Sequence, residues 1–146
     1  MKNYLSEDDL TTARRLTPIL CVDMFIYDER GILLMRRKQE PYKGMYSIIG
    51  GRVLKDECID NALARHLLDD TGLFIREKKF LGYHEWDLFD DPRQHPISLM
   101  FHVTPIKMSH IDGDFFKTTK QLPKDIDHPA KNAILKYRHL FTNEIE

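Results

Sequence analysis

Hydrophobic positions along this chain of 146 residues follow more than one period, and each period predicts a different element. Residues 19–27 form a nearly continuous apolar run, which is typical of a strand whose two faces are both covered. Farther along, Ile97, Leu99, Phe101 and Val103 alternate with other side chains. This alternation predicts a half-buried strand with these four residues facing the core.

Helices are predicted at positions where a start or stop signal accompanies helical spacing. A capping-box pattern that begins at Ser6 predicts a short helix over 6–15. A second helix is predicted over 57–71, because apolar residues recur at helical spacing and Gly72 follows as a stop. Pro129 suits the first turn of a final helix. The apolar stripe of that final helix includes Ala133, Ile134 and Tyr137.

The remaining strands complete the predicted fold. A turn over 28–31 leads into a strand over 32–37, and further strands are predicted over 45–49 and 80–89. Strands, one helix, more strands and a last helix predict an α+β fold with a mixed β-sheet sandwiched between α-helices. Because 146 residues suit one compact unit, we expect residues 1–146 to form a single domain.

Composition and charge narrow the class of partner. Hydrophobic residues make up 42% of the chain and charged residues 31%, as in ordinary globular proteins. A formal net charge of −1 gives no electrostatic basis for nonspecific binding to nucleic acid or to an anionic membrane. The polar start does not resemble a signal peptide, so a cytoplasmic protein is expected. Cys21 and Cys58 have no disulfide or zinc spacing, and both are predicted to be buried thiols.

The helix predicted over 57–71 carries polar residues where its apolar face is expected. At about 100° per residue, His66, Asp69 and Asp70 fall on the same arc as the apolar side chains. If that arc is buried, these groups must be paired, bind a metal or line a cleft, because unpaired burial is costly. If the end of the helix is exposed, they are surface residues. The periodicity leaves both interpretations open.

The spacing of residues 51–73 resembles the motif of the Nudix hydrolases. That motif is a glycine, five residues, a glutamate, seven residues and then Arg-Glu-apolar-x-Glu-Glu-x-Gly-apolar. The positions that match it outright are Gly51, Glu57, Arg65, Leu67, Gly72 and Leu73. Asp69 and Asp70 stand where the family has glutamates, and His66 replaces a third. The resemblance implies a Nudix fold and a metal-dependent hydrolase.

By this resemblance, carboxylates of the helix bind Mg²⁺ or Mn²⁺ against the diphosphate of a substrate. These hard cations prefer several oxygen ligands and neutralise phosphate charge. Asp70 is the first candidate ligand and Asp69 the second, whereas the imidazole of His66 favours softer metals. The family also implies an ion pair between Glu57 and Arg65. On an ideal helix the two lie well apart around the axis, so separate surface charges are the alternative.

A closer resemblance, to the GDP-mannose mannosyl hydrolases, covers roughly the first half of the chain. It rests on residues 16–18, Asp23, 33–37, 50–53 and 55–57. The resemblance implies a single Mg²⁺ bound by the Gly50 carbonyl, Asp70 and a side chain from a later loop. Arg37 and Arg52 would neutralise the departing diphosphate, which guanidinium groups do well, and Asp23 would face the sugar.

The same resemblance implies a histidine in a later loop as general base, and in the loop over 109–114 the nearest candidate for that role is His110. An unperturbed imidazole titrates near neutral pH and can accept a proton from water. Asp112 or Asp114 could serve as base or ligand instead, and a solvated polar loop is the other interpretation. The loop sequence alone leaves these alternatives open.

Three functions follow from these residues. The first is hydrolysis of a nucleotide sugar such as GDP-mannose to a nucleoside diphosphate and a free sugar. The second is pyrophosphate cleavage of ADP-ribose or a nucleoside triphosphate. The third, motivated by His66, Asp69 and Asp70, is nucleotide binding without useful turnover. In each, the expected partner is a small nucleotide, and the family makes a homodimer an expectation.

Overall fold

The computed structural model describes residues 4–86, 95–117 and 119–140. In this part of the chain the α-helices are α1 (Glu7–Leu16), α2 (Ile59–Thr71) and α3 (His128–Tyr137). Short 3-10 turns span Met108–His110, Thr119–Gln121 and Arg138–Leu140. The strands are β1 (Ile19–Phe25), β2 (Tyr27–Asp28), β3 (Gly31–Arg36), β4 (Tyr46–Ser47), β5 (Ile49–Arg52), β6 (Ile75–Glu85), β7 (Pro96–Pro105) and β8 (Asp114–Phe116).

The helix signals are confirmed, with one boundary moved. The Ser6 hydroxyl caps α1 by accepting a hydrogen bond from the Asp9 N–H at 3.1 Å. Gly72 ends α2 in the left-handed conformation, with φ at 74°. The start of α2 is Ile59 and not residue 57, so Glu57 lies in the turn before the helix. That shift changes which side chains Glu57 can reach.

The described strands form two sheets. The first has the order β5-β1-β7-β6, in which β1 is antiparallel to β5 and parallel to β7, and β6 is antiparallel to β7. The second joins β2, β3 and β4, with β8 paired to β3. The strand predicted over 45–49 is divided between the sheets, since β4 belongs to one and β5 to the other.

Strand β1 lies inside the first sheet, and helices cover both of its faces. Val22 and Met24 belong to a core cluster with Leu63 and Leu67 of α2. Phe25 belongs to a second cluster on the other face. The residues that α3 contributes to that second cluster are Ala130, Ala133, Ile134 and Tyr137. A mixed sheet between helices confirms the predicted α+β fold. It also confirms the prediction that both faces of this strand are covered.

The alternation predicted for β7 is wrong in its first half. Ile97 and Leu99 are only partly buried, whereas Ser98 and Met100 are fully buried. Because β7 lies between β1 and β6 in a sheet covered on both faces, each face accepts side chains. The Ser98 hydroxyl tolerates burial because it accepts a hydrogen bond from the Trp86 indole N–H at 2.7 Å.

Other boundaries also differ from the prediction. Strand β6 begins at Ile75 rather than at residue 80, and residues 87–89 of the predicted strand lie outside the described residues. Cys21 is buried as predicted, but the prediction for Cys58 is wrong, because that thiol is exposed just before α2. Within the described ranges, no helix combines the length and apolar character that crossing a membrane requires.

Candidate active site

A cleft of about 550 Å³ opens between α1, the end of β5 and the start of α3. Small-molecule sites commonly measure roughly 300–1,000 Å³, so this volume suits a ligand of nucleotide size. Its lining includes Asp23, Arg37, Gly50 and Arg52. The structure therefore brings together the four residues that the sequence assigned to the substrate and to the backbone ligand of a metal.

Strand register sets the floor of the cleft. The pairing of β1 with β5 and β7 puts Arg52, Cys21 and Ser98 in one row across the sheet. Asp23 and Gly50 are paired in a row farther along. Directly paired residues project from the same face of a sheet, so Arg52 and Asp23 point to the same side. Both line the cleft on that side.

The two glycines at the end of β5 allow side chains to approach the backbone closely. A Cβ atom added to Gly50 would lie 2.1 Å from Oδ1 of Asp23, and one added to Gly51 would lie 2.6 Å from Cε1 of His66. Neither distance leaves room for a side chain. The pair of glycines is therefore required to seat the carboxylate of Asp23 and the imidazole of His66.

Glu57 and Arg65 form a nearly buried ion pair. Nε and Nη2 of Arg65 donate to the two carboxylate oxygens of Glu57 at 2.7 and 2.9 Å, and the side chains are 9% and 13% exposed. The Leu54 N–H donates to the same carboxylate at 3.1 Å. The hydrogen bond from Arg65 is the main cause that lowers the pKa of Glu57 to about 2. The predicted ion pair is confirmed, and separate surface charges are excluded.

His66 fixes the backbone of Arg52. Its Nε2 lies 2.9 Å from the Arg52 carbonyl oxygen, and because a carbonyl only accepts, the proton is assigned to Nε2. Burial lowers the pKa of His66, which favours the neutral ring. Nη2 of Arg65 donates to the same carbonyl at 2.9 Å. Two neighbouring motif residues thus hold the segment that carries the Arg52 side chain.

The Arg52 guanidinium is a half-buried cation with neighbours of the same sign. Burial is the main cause that lowers its pKa, followed by repulsion from Arg14 of α1, and Arg65 acts in the same direction. Among the described residues, no hydrogen bond or ion pair engages this guanidinium. Arg37, also in the cleft, donates from Nε to the Pro41 carbonyl at 2.6 Å. The unsatisfied charge of Arg52 favours an anionic ligand.

Asp69 and Asp70 lie in the last turn of α2, which contains no basic residue. Both residues are exposed as a whole, although protein surrounds part of the Asp70 carboxylate. Carboxylates at a helix C-terminus oppose the helix dipole and are stabilised by a nearby cation. This partial burial raises the pKa of Asp70, against the opposing effects of His66 and then of Lys38 and Arg37. Neither aspartate lines the cleft.

The donor set at the end of α2 limits what metal can bind. Within 4–86, 95–117 and 119–140, no group of three or more His, Cys, Asp or Glu side chains could hold a metal ion. His66 is directed to the Arg52 carbonyl instead. A cluster of ions therefore does not fit these residues. Asp69 and Asp70 leave two carboxylates in a last turn without a basic residue, and Mg²⁺ commonly binds one or two carboxylates and completes its shell with water and substrate phosphates.

The candidate base His110 is exposed in the 3-10 turn Met108–His110 and does not line the cleft. Of the alternatives, Asp112 is exposed, and Asp114 accepts a hydrogen bond from the Tyr46 hydroxyl at 2.6 Å. The structure thus does not bring the later loop together with Asp23 and the arginines of the cleft.

Sequence reasoning missed Arg14, which lines the cleft from α1. No motif contains this residue. A signal was nevertheless available, because Glu7, Leu10, Thr11 and Arg14 recur at helical spacing and all four line the cleft. The buried Ser98 was missed as a cleft residue because its burial depends on the two-sided packing of the sheet.

Comparison with known proteins agrees with this geometry. The model of the NUDIX domain family matches residues 17–130. An ADP-ribose pyrophosphatase of Methanocaldococcus jannaschii is 37% identical over 102 residues, which cover 68% of this chain and 59% of that protein. The low-salt glycan biosynthesis protein Agl8 of Haloferax volcanii is 32% identical over 92 residues, covering 60% of this chain and 59% of the relative. The chain thus spans 59% of the length of these two curated relatives.

A solved structure supports the fold. The crystal structure of a MutT NUDIX hydrolase from Burkholderia pseudomallei superposes with a TM-score of 0.66 at 20% identity. The match covers 82% of this chain and 97% of that one. At this level of identity, the similarity identifies the arrangement of sheet and helices.

Proposed function

This chain belongs to the Nudix hydrolase family, and from that premise we propose that it hydrolyses a nucleoside diphosphate derivative, with ADP-ribose as the first candidate. The observation that carries the proposal is the half-buried guanidinium of Arg52 on the floor of the cleft, whose backbone Arg65 and His66 hold. A preorganised cation of this kind stabilises the negative charge of a diphosphate. The relative that is an ADP-ribose pyrophosphatase supports this choice of substrate.

The proposed reaction is attack of water on one phosphorus of the diphosphate. The bond between that phosphorus and the bridging oxygen breaks, and ADP-ribose plus water gives AMP and ribose 5-phosphate. Arg37 and Arg52 would neutralise the charge that develops on the departing phosphate. Asp23, seated against Gly50, would accept hydrogen bonds from sugar hydroxyls. The ion pair of Glu57 and Arg65 would act by positioning the end of β5.

A divalent cation belongs to this proposal. When bound, one Mg²⁺ or Mn²⁺ held by Asp70, with Asp69 and the Gly50 carbonyl as further candidate ligands, would neutralise phosphate charge. His110 stays the proposed base, a role that requires its turn to approach the ligand. The variant His110→Ala tests this: a large loss of kcat supports the role, and unchanged kcat removes it.

A nucleotide sugar such as GDP-mannose is the second candidate, cleaved at the sugar C–O bond. Two observations favour it: the relative Agl8 is named for glycan biosynthesis, and the described residues contain no group of three or more side chains that could hold a metal ion, which disfavours a cluster of ions. It ranks second because, of the relatives named above, the one with higher identity is an ADP-ribose pyrophosphatase.

A substrate panel separates these functions. Purified protein is incubated with ADP-ribose and GDP-mannose, each with Mg²⁺ and with Mn²⁺, and the products are identified by mass. AMP with ribose 5-phosphate supports the first candidate, and GDP with mannose supports the second. Tight calorimetric binding of either nucleotide without products would instead support a nucleotide-binding domain without turnover. Absence of both binding and turnover would overturn the proposal.

A further inference from the structure

Arg14 lies on α1, before the residues 17–130 that match the NUDIX domain model, yet it lines the same cleft as Arg52. The two reach the cleft from different elements, Arg14 from the last turn of α1 and Arg52 from the end of β5. Both side chains are only partly exposed. Two cations that share a partly buried space repel each other unless an anion lies between them.

The charges around the two guanidinium groups are not balanced by partners. In the described part of the chain, no hydrogen bond or ion pair engages either side chain. Arg14 and Arg52 line the same cleft and carry charges of the same sign, so they repel each other there. The cleft also contains the carboxylates of Glu7, Asp23 and Glu40. Of these, Glu7 is on the same helix as Arg14 and lies about 10 Å away along the helix axis. Arg65 is neutralised by Glu57.

The helix that carries Arg14 is not fixed by a core contact of its own. None of the residues of α1 is buried. Because burial of apolar surface is the main force that holds a helix to its domain, α1 is held weakly against the cleft. Repulsion between Arg14 and Arg52 would oppose its approach in the absence of ligand. An anion with two charged groups would attract both arginines, and would therefore favour the approach of α1 to the cleft.

We propose that Arg14 of α1 and Arg52 of β5 clamp the two phosphates of a diphosphate ligand, so that α1 closes on nucleoside diphosphates in preference to monophosphates. The inference rests on the proposed function, because it concerns the same cleft. It assigns to α1 a role in specificity. One guanidinium can bind each phosphate, whereas a monophosphate offers an anion to only one of them.

A simpler explanation for Arg14 is that its positive charge stabilises α1 by a favourable interaction with the negative, C-terminal end of the helix dipole. Arg15 provides the matched control, because it shares the last turn of α1 but is exposed and does not line the cleft. A dipole effect would be lost in Arg14→Gln and Arg15→Gln alike. A clamp would be lost only in Arg14→Gln.

The test is calorimetric titration with α,β-methylene-ADP, whose bridging carbon resists hydrolysis, and with AMP, both in Mg²⁺ buffer. We expect Arg14→Gln to weaken binding of α,β-methylene-ADP by about tenfold, the scale of one charge-assisted hydrogen bond, and to change AMP binding much less. Arg15→Gln should bind both as the wild type does. Amide hydrogen exchange in α1 should slow when wild-type protein binds the analogue, and should not slow in Arg14→Gln.

Each outcome has a defined consequence. Equal affinities of Arg14→Gln and Arg15→Gln for the analogue, with Arg52→Gln weakened, would overturn the clamp and leave the proposed function standing. Equal loss in Arg14→Gln and Arg15→Gln would also overturn it. Failure of the wild type to bind either nucleotide would overturn the proposed function and the clamp together. Circular dichroism of each variant confirms that it is folded.

Discussion

At the scale of single residues, three side chains of the motif act on one carbonyl group. Glu57 orients Arg65, and Arg65 and His66 both donate to the Arg52 carbonyl. The sequence motif predicted the ion pair of Glu57 and Arg65, but it did not indicate which group His66 would contact. Its partner is a backbone group, which residue identity cannot indicate. The substitution of a family glutamate by His66 therefore removes a candidate metal ligand and supplies a positioning contact.

The ion pair predicts a stability that depends on pH. Glu57 has a pKa lowered from 4.5 to about 2, so its contribution is present above pH 4.5 and is lost as pH falls toward 2. We expect Glu57→Gln to lower the unfolding free energy by about 3 kcal/mol at pH 7, because Arg65 loses its buried partner. Denaturant unfolding across this pH range measures it. Asp56→Asn, which removes an exposed carboxylate, is the control and should change little.

The cleft charge predicts a loss of activity when Arg52 is neutralised. Arg52→Gln keeps the backbone carbonyl that Arg65 and His66 bind but removes the cation. We expect kcat/KM on the substrate identified by the panel to fall about 100-fold, while thermal stability is unchanged or slightly higher. Arg76→Gln, on the exposed strand β6, serves as control. Kinetics of Arg52→Gln equal to those of the control would remove Arg52 from the diphosphate site.

If Asp70 at the end of α2 binds the metal ion, neutralising this residue should lower the metal-dependent rate. Asp70→Asn keeps the shape of the side chain and removes the charge that a cation requires. We expect the metal-dependent rate to fall by about 100-fold or more without unfolding, and Asp69→Asn to have a smaller effect. Titration of activity with Mg²⁺ measures both. Near-normal turnover by folded Asp70→Asn protein would show that the proposed metal site is wrong.

At the scale of elements, the helix boundaries could be predicted from local sequence signals, whereas the packing between elements could not. Caps and stops located α1, α2 and α3 because they depend on neighbouring residues. The burial of β7 was mispredicted because it depends on which helices cover the sheet. The role of α1 was missed for the same reason, since the cleft that Arg14 lines is built from elements far apart in the sequence. The periodicity of a segment shows which of its faces is apolar, but it does not show which other element packs against that face.

Packing of β6 against its surroundings predicts a second pH effect. His84 is buried at 9% exposure with its ring edge against Trp86, and Nδ1 has no hydrogen-bond partner in the described residues. Burial lowers its pKa from 6.5 to about 4, so stability falls as pH drops from 6.5 toward 4. His84→Phe should lose less stability over that range than the wild type. Equal pH profiles would contradict this, and exposed His139→Gln is the control.

At the scale of the whole molecule, the cleft is lined by elements that lie far apart in the sequence. Residues 46–52 pass from β4 in one sheet to β5 in the other, and the end of β5 faces α1 and the start of α3. The sequence predicted the layers and grouped Asp23, Arg37, Gly50 and Arg52, which do line the cleft. It did not predict that His110 and the two aspartates of α2 would lie outside the cleft lining, because loop paths and helix ends are set by tertiary packing.

The most direct test of the central claim is hydrolysis of ADP-ribose in ¹⁸O-labelled water with Mg²⁺, followed by mass spectrometry of the products. Attack on phosphorus predicts AMP and ribose 5-phosphate, with one ¹⁸O atom in the phosphate of one of them. No consumption of ADP-ribose by folded, nucleotide-binding protein, or label found only in a free sugar, would contradict the account.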